Sequence, residues 1–274
     1  MAGTVKDGEN AEPAAEKATR PSGERPEDWA TRISELHPDT KVAGYWKAIQ
    51  DNCEQWAKEI TVGPYWSEVR NNLDRWSTEY RASTQADLLR VGGLSGFDFK
   101  SETSIRDKVY RICRNKPDKA KGIIGSSPTI PRLNDLVRTR VVCRYVDGVE
   151  FITSKMADLA RVQTVLQGRR REGRLEGYFA QHLYLKQQVF FRYGGQQMPA
   201  EILCEVQVAT EMATRMWTEG HGAYEIARGA NDEPEKWQWS TNDPRFISNQ
   251  LGHMLHLADG LLMQLRDSTK SRKS

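Results

Sequence analysis

The chain has 274 residues, 38% hydrophobic and 28% charged, with a net charge of +3. That is enough apolar material to bury a proper core, in one large domain or two small ones. No apolar run approaches the ~18–20 residues of a membrane span, which excludes an integral helical membrane protein.

The N-terminal stretch, residues 1–26, lacks the apolar segment of a signal peptide and is rich in Pro, Ala and Glu. It has too few apolar groups to offset the entropy of ordering, so a disordered acidic tail is expected. Cys53, Cys113, Cys143 and Cys204 lack C-x-x-C spacing, which points to reduced, mostly buried thiols in a cytoplasmic protein. Charge is unevenly spread. Residues 100–144 hold twelve Lys/Arg against four Asp/Glu, whereas residues 1–40 hold five against nine. A basic middle suits a polyanion, either nucleotide phosphates or a nucleic-acid backbone; a solvated basic face is the plainer alternative.

Along the chain, Val42, Tyr45, Trp46, Ile49, Cys53, Trp56 and Ile60 recur at mostly three- and four-residue steps and predict an amphipathic helix, broken at Gly63-Pro64. Val69, Leu73, Trp76 and Tyr80 predict a second. Trp46, Trp56, Trp66 and Trp76 fall ten apart, a net rotation of roughly 280° that argues against a shared face. Gly92-Gly93 and Gly96 mark a loop, and Ile105, Val109 and Ile112 a helix with Lys108, Arg111 and Arg114 opposite. Residues 122–131 read as a mobile loop.

Three β-like runs follow, at 136–145, 182–193 and 200–208, the last two joined by a Gly194-Gly195 hairpin. Residues 151–166 are helical in period, and 210–227 should be largely helical with Met212, Met216 and Trp217 inward. In the last segment Ile247, Leu251, Met254, Leu255, Ala258, Leu261, Leu262 and Leu265 form one stripe, for packing on the domain or on a partner. The expected fold class is α/β (α+β): a mixed sheet of about five strands flanked by helices, with helical N- and C-terminal extensions. The expected boundaries are a tail at 1–26, a helical region at 27–92, the main domain at 93–230, and a linker plus amphipathic helix at 231–274.

Strand alternation puts Glu205 and Gln207 on one face of the third run, away from Ile202, Cys204, Val206 and Val208. In the first run Arg138, Arg140 and Arg144 share a face, a poor core but a good phosphate cradle. Asp135 precedes that run. Tyr178 and His182 lie between the runs. Each residue also has a structural reading: Glu205 as an arginine's partner, Asp135 as a turn or cap, His182 as a hydrogen-bonded core histidine, Tyr178 as packing.

The order of these stretches resembles the synthetase domain of the RelA/SpoT family, the small alarmone synthetases in particular. Residues 100–108 resemble its ATP-binding K-x-x-x-S-I-x-x-K segment, and 135–142 its metal-binding strand. Residues 177–182 are similar to its G-Y-x-x-x-H acceptor loop, and 205–207 to its E-x-Q strand. The resemblance covers about residues 95–225. It implies transfer of the β,γ-pyrophosphate of ATP to a ribose 3′-hydroxyl. In that reading Asp135 and Glu205 hold Mg²⁺ and Gln207 assists catalysis. Lys100, Ser104, Lys108, Arg111 and Arg140 bind ATP, while Tyr178, His182 and Arg138 meet the acceptor.

Departures narrow the expectation. Arg138 replaces a glycine of the family's metal strand, Phe179 stands where a basic residue is common, and Ala209 where an arginine often follows. Fewer cations near the acceptor base resemble the toxic subgroup, some of which modify the 3′-terminal adenosine of tRNA. A tRNA acceptor is therefore expected, with Arg169-Arg170-Arg171 helping to hold its backbone. Arrested translation and a neutralising antitoxin partner would follow. The runner-up is synthesis of (p)ppGpp- or (p)ppApp-type alarmones from a purine nucleotide. A catalytically inactive RNA-binding or regulatory module is the reading of a different class. None of the five histidines is followed by Asp, so the family's His-Asp hydrolase domain is expected to be absent.

Overall fold

The structure, a computed structural model, describes residues 26–126, 128–173, 177–219 and 237–270. One mixed five-stranded sheet, β1 (Leu89–Phe99), β2 (Val137–Cys143), β3 (Leu166–Gly173), β4 (Phe179–Tyr193) and β5 (Gln196–Thr210), organises the chain. The strand order is β1-β2-β5-β4-β3; β2 and β5 run parallel, and the other neighbours are antiparallel. The expected mixed α/β class with a five-stranded sheet is what the chain forms.

Helices cover one face. They are α1 (Pro26–Leu36), α2 (Tyr45–Val62), α3 (Pro64–Thr84), α4 (Glu102–Asn115), the short α5 (Pro117–Ala120) and α6 (Val146–Val162). A seventh, α7, runs over 211–219, and α8 (Pro244–Lys270) closes the described chain. The α2 and α3 stripes are buried as predicted, and their apolar side chains join those of β2, β4, β5 and α6 in one core. Trp46, Trp56, Trp66 and Trp76 are all buried, which corrects the sequence reading. A rotation of roughly 280° leaves two residues only about 80° apart, inside the ~100° width of an apolar stripe. Two polar tips are satisfied by backbone, Trp56 Nε1 donating to Phe190 O at 2.8 Å and Tyr65 Oη to Met156 O at 2.9 Å, whereas Trp66 Nε1 has no hydrogen-bond partner among the described residues.

The glycines at 92–96 do not make a loop; they bend β1. Gly92 sits at φ +67°, and a Cβ on Gly93 would lie 2.6 Å from Val142 O. The bulged register there lets β1 hug β2 where side chains could not fit. The Gly194-Gly195 hairpin forms as read, both residues at positive φ. On either side of residue 127 the segment expected to be a mobile loop is cross-linked by backbone hydrogen bonds, Gly125 N donating to Ile130 O and Arg132 N to Ile123 O. All four cysteines are free and buried. Of the helix expected over 210–227, the part from 220 lies outside the described residues.

The C-terminal helix forms as read and, of the two placements left open for its stripe, does not pack it on the body. Asn249, Gly252 and Asp259 are buried against the body, whereas Ile247, Met254, Leu261 and Leu265 stay more than half exposed. Polar contacts hold it instead. Arg266 donates to both oxygens of Asp147 and to Tyr80 Oη, over the ring of Tyr145, and Thr210 Oγ1 donates to Asp259. The helix thus crosses the end of the sheet where β5 finishes and β4 begins. Among the described residues no helix is long and apolar enough to cross a membrane.

Candidate active site

The second sheet face carries the predicted residues, in rows set by strand register. Arg138 (β2) pairs with Glu205 (β5), which pairs with Tyr184 (β4). One step along, about 7 Å away, Arg140 pairs with Gln207, Gln207 with His182, and His182 with Arg170 of β3. Alternation carries these side chains to the face opposite the buried Val137, Cys204, Val206 and Leu183. Arg138 and Arg140, half-buried, have no hydrogen bond or ion pair among the described residues.

At the start of β2, Asp135 is held between two lysines. Lys108 Nζ lies 2.7 Å from Oδ1 and Lys100 Nζ 3.2 Å from Oδ2. Lys100 leaves β1 with its backbone N–H on Leu136 O, and Lys108 comes from the second turn of α4, which is capped by Ser101 accepting from Ser104 N. Burial alone would raise the Asp135 pKa, but Lys108 and Lys100 together hold it below the usual range. Burial lowers the pKa of Lys100, with Asp135 opposing. Ser104 is exposed beside its cap partner, and Arg111 follows Lys108 by one turn of α4. A cavity of about 570 Å³, lined in part by Arg132, Asn134, Lys186 and Leu203, adjoins this cluster.

The other end of the face is built around Glu205. His182 Nδ1 lies 2.8 Å from Oε1 without hydrogen-bond alignment, while Gln207 Nε2 donates to Oε2 at 3.0 Å. Tyr178 Oη and His182 Nε2 are 3.0 Å apart, and the Tyr178 ring packs on Trp217 of α7 at 4.7 Å. Glu205 therefore partners a histidine and an amide rather than an arginine. The arginine run of β3 is divided by the pleat. Arg169 and Arg171 reach Glu150 of α6 on the far face, and Arg170 pairs with the buried Glu172 on the site face. Each arginine of the run is thus paired, with three guanidiniums sharing the two carboxylates Glu150 and Glu172.

Two features were not foreseen. Tyr184, half-buried and close to Glu205 and Glu172, has its pKa pushed up to about 12 by desolvation and those carboxylates and stays a neutral hydroxyl. Phe179, at the position of the missing cation, is stacked by His256 of α8 at 3.8 Å and 5°, with His253 edge-on at 5.4 Å. Beside it Gly177, at φ +75°, touches Gly252 of α8 so closely that a Cβ on Gly252 would lie 2.4 Å from Gly177 O. The alternation of Arg170 and Glu172 was readable in the sequence as a site-face pair; nothing local signalled that α8 would pack against Phe179 and Gly177.

No family model and no curated protein matches this chain. Among solved structures, a GTP pyrophosphokinase family protein from Streptococcus pneumoniae matches with a TM-score of 0.50 at 16% identity, over 84% of this chain and 97% of that one. The two share a fold. Small alarmone synthetase 1 from Bacillus subtilis gives 0.49 at 16% identity, over 80% of this chain and 99% of that one. The protein smu.1046c from Streptococcus mutans gives 0.46 at 16%, over 78% and 98%.

Asp135 and Glu205 are the only predicted metal ligands, and no group of three or more His, Cys, Asp or Glu positioned for a metal occurs among the described residues. Such a donor set suits Mg²⁺ arriving with a polyphosphate, since that ion commonly takes one or two carboxylates and fills its octahedron with phosphate oxygens and water.

Proposed function

We propose that the chain is an ATP pyrophosphokinase, moving the β,γ-pyrophosphate of ATP to the ribose 3′-hydroxyl of a purine nucleotide. The observation that carries this is the Lys100–Asp135–Lys108 cluster on the same sheet face as Arg138, Arg140, Glu205 and Gln207. Two ammoniums around one carboxylate, with two guanidiniums beside them, leave a concave excess of positive charge for a triphosphate.

In this reading the lysines exchange Asp135 for phosphate oxygens when ATP binds, which frees the carboxylate to face Mg²⁺ together with Glu205. Bound there, the ion supplies charge neutralisation on the transferred group. Arg140, and Ser104 and Arg111 of α4, complete the ATP side. Gln207 holds Glu205 in orientation by its hydrogen bond, with His182 against the other oxygen, so that the carboxylate accepts the hydrogen bond of the 3′-hydroxyl. Arg138 and Tyr178 border the acceptor. The acceptor oxygen bonds to Pβ as the Pα–O–Pβ bridge breaks and AMP leaves; the hydroxyl proton passes to the Glu205–His182 pair.

A guanosine nucleotide is the acceptor favoured by the fold shared with a protein of the GTP pyrophosphokinase family. A second reading, the 3′-terminal adenosine of tRNA, is favoured by Phe179: the side chain beside Tyr178 is stacked by histidine and offers no cation to a 5′-polyphosphate. That reading alone brings the toxin role and an antitoxin partner. Incubation with Mg²⁺ and γ-labelled ATP against GTP, GDP, AMP and tRNA in parallel separates them. Label on GTP or GDP is the expected result, and label on tRNA alone selects the second reading. No label on any acceptor rejects pyrophosphoryl transfer.

A further inference from the structure

The solvent face of α8 repeats an apolar residue at steps of four and three: Ile247, Leu251, Met254, Ala258, Leu261 and Leu265. That is a heptad seam nearly three heptads long. Leu257 and Leu262 widen it, and exposures run from 42% at Leu251 to 66% at Met254. The helix is already fixed to the body by its opposite side, through Gly252, His256, Asp259 and Arg266. Its exposed seam is therefore surplus to the fold of one chain, and an apolar band of this length marks an interaction surface.

Three observations choose the occupant. The seam and its flanks, Ser248, Gln250, Leu255, Leu257, Leu262 and Gln264, carry no charge, so neither an acidic nor a basic partner is complementary to them. The chain's own remaining segments are poor candidates. Residues 1–25 offer only Met1 and Val5 as large apolar side chains, and 220–236 only Tyr224 and Ile226. Finally, the seam complements itself. Laid antiparallel on a two-fold axis beside His256, Ile247 meets the second copy's Leu265, Leu251 the second copy's Leu261, and Met254 the second copy's Ala258. Each layer matches large with large or the longest side chain with the smallest.

We infer that α8 is the interface of a symmetric homodimer, two copies packing their helices antiparallel through this seam. An isologous two-fold contact needs a self-complementary patch, and this is one. Docking would also clamp α8 against Gly177 and Phe179, on its other side.

The test is the mass of the full chain in solution. Light scattering at tens of micromolar should give twice the 31.3 kDa chain mass, and the double variant L251E/L261E should return to 31.3 kDa. Both side chains are exposed in the single chain, so the charges cost its fold little, which unchanged circular dichroism would verify. For register, an equimolar mixture of L251C and L261C should form the mixed disulfide in preference to either homodisulfide. A wild-type chain that stays at 31.3 kDa, or a dimer indifferent to the two glutamates, overturns the proposal and leaves the seam to a different protein. Preferred homodisulfides overturn the antiparallel arrangement.

Discussion

Asp135→Asn separates what the cluster does for the fold from what it does for the ligand. The carboxylate has 14% of its side chain exposed and faces two ammoniums at 2.7 and 3.2 Å. At an effective dielectric of about 20, each pair at a charge separation near 4 Å is worth about 4 kcal/mol of Coulomb energy. Desolvation offsets most of that, and the asparagine still accepts one hydrogen bond. A fully buried pair costs about 3–5 kcal/mol to break, so this partly open one should cost about 2 kcal/mol. For a chain of this size that is a fall of roughly 4–8 °C in Tm. The Asp135 pKa is lowered in the folded protein, so its contribution is present above the ordinary carboxylate range and disappears as pH falls through the folded value. The gap between wild type and variant should accordingly close in acid. Tripolyphosphate without Mg²⁺ should reverse the order at neutral pH, raising the Tm of D135N more than that of wild type, because the lysines no longer have a competing partner. Transfer activity should fall by at least about a hundredfold, given the electrostatic terms such groups supply. Equal melting curves, or a polyphosphate that stabilises wild type more, would refute the idea that this cluster is a phosphate site held closed by its own carboxylate.

Gly252→Ala puts a methyl against the backbone of Gly177 and should loosen α8 by about 1–3 kcal/mol; amide exchange should accelerate over 244–270 and leave β5 unchanged, and uniform exchange would argue against a tight helix–loop contact. Burial, and then His253, lower the pKa of His256. A base with a depressed folded pKa gives its full support above the undocked value and loses it as pH falls below, so the protection of α8 amides, taken relative to their intrinsic exchange at each pH, should fall between pH 7 and 5, and His256→Phe should abolish that dependence. A flat profile in wild type would remove His256 from the contact. Glu150→Gln removes the partner of Arg169 and Arg171. The folded pKa of Glu150 is about 2, but the side chain is 44% exposed, so screening limits the loss to about 1 kcal/mol in denaturant titration. That loss should vanish as pH falls toward 2, and a loss that persists there would mean packing, not charge, is at stake.

How far the sequence revealed this molecule depended on whether residues satisfied themselves locally. β2, β4 and β5 alternate cleanly because one face is core, so they were legible, and so was the pairing of Glu205 with Gln207. β1 was hidden by glycines that serve a bulge. β3 was hidden by three arginines, two of which are met only by Glu150 of α6, about twenty residues upstream. The four tryptophans were misread through geometry, since rotation is cyclic. Asp135 and its lysines lie 27 and 35 residues apart in sequence, and only the family resemblance joined them beforehand. The face chosen by α8 was illegible for a different reason. Periodicity locates an apolar stripe but says nothing of what it meets, and here the body binds the polar side.

Arg266 and Gly252 stand fourteen residues apart on α8, roughly 21 Å along one rigid rod. One end is anchored to α3 and α6 through Tyr80 and Asp147, and the other rests on the loop that carries Tyr178. Such a rod acts as a lever. Pairing of its outer surface with a second copy would be felt at that loop without any contact to the Lys100–Asp135–Lys108 cluster.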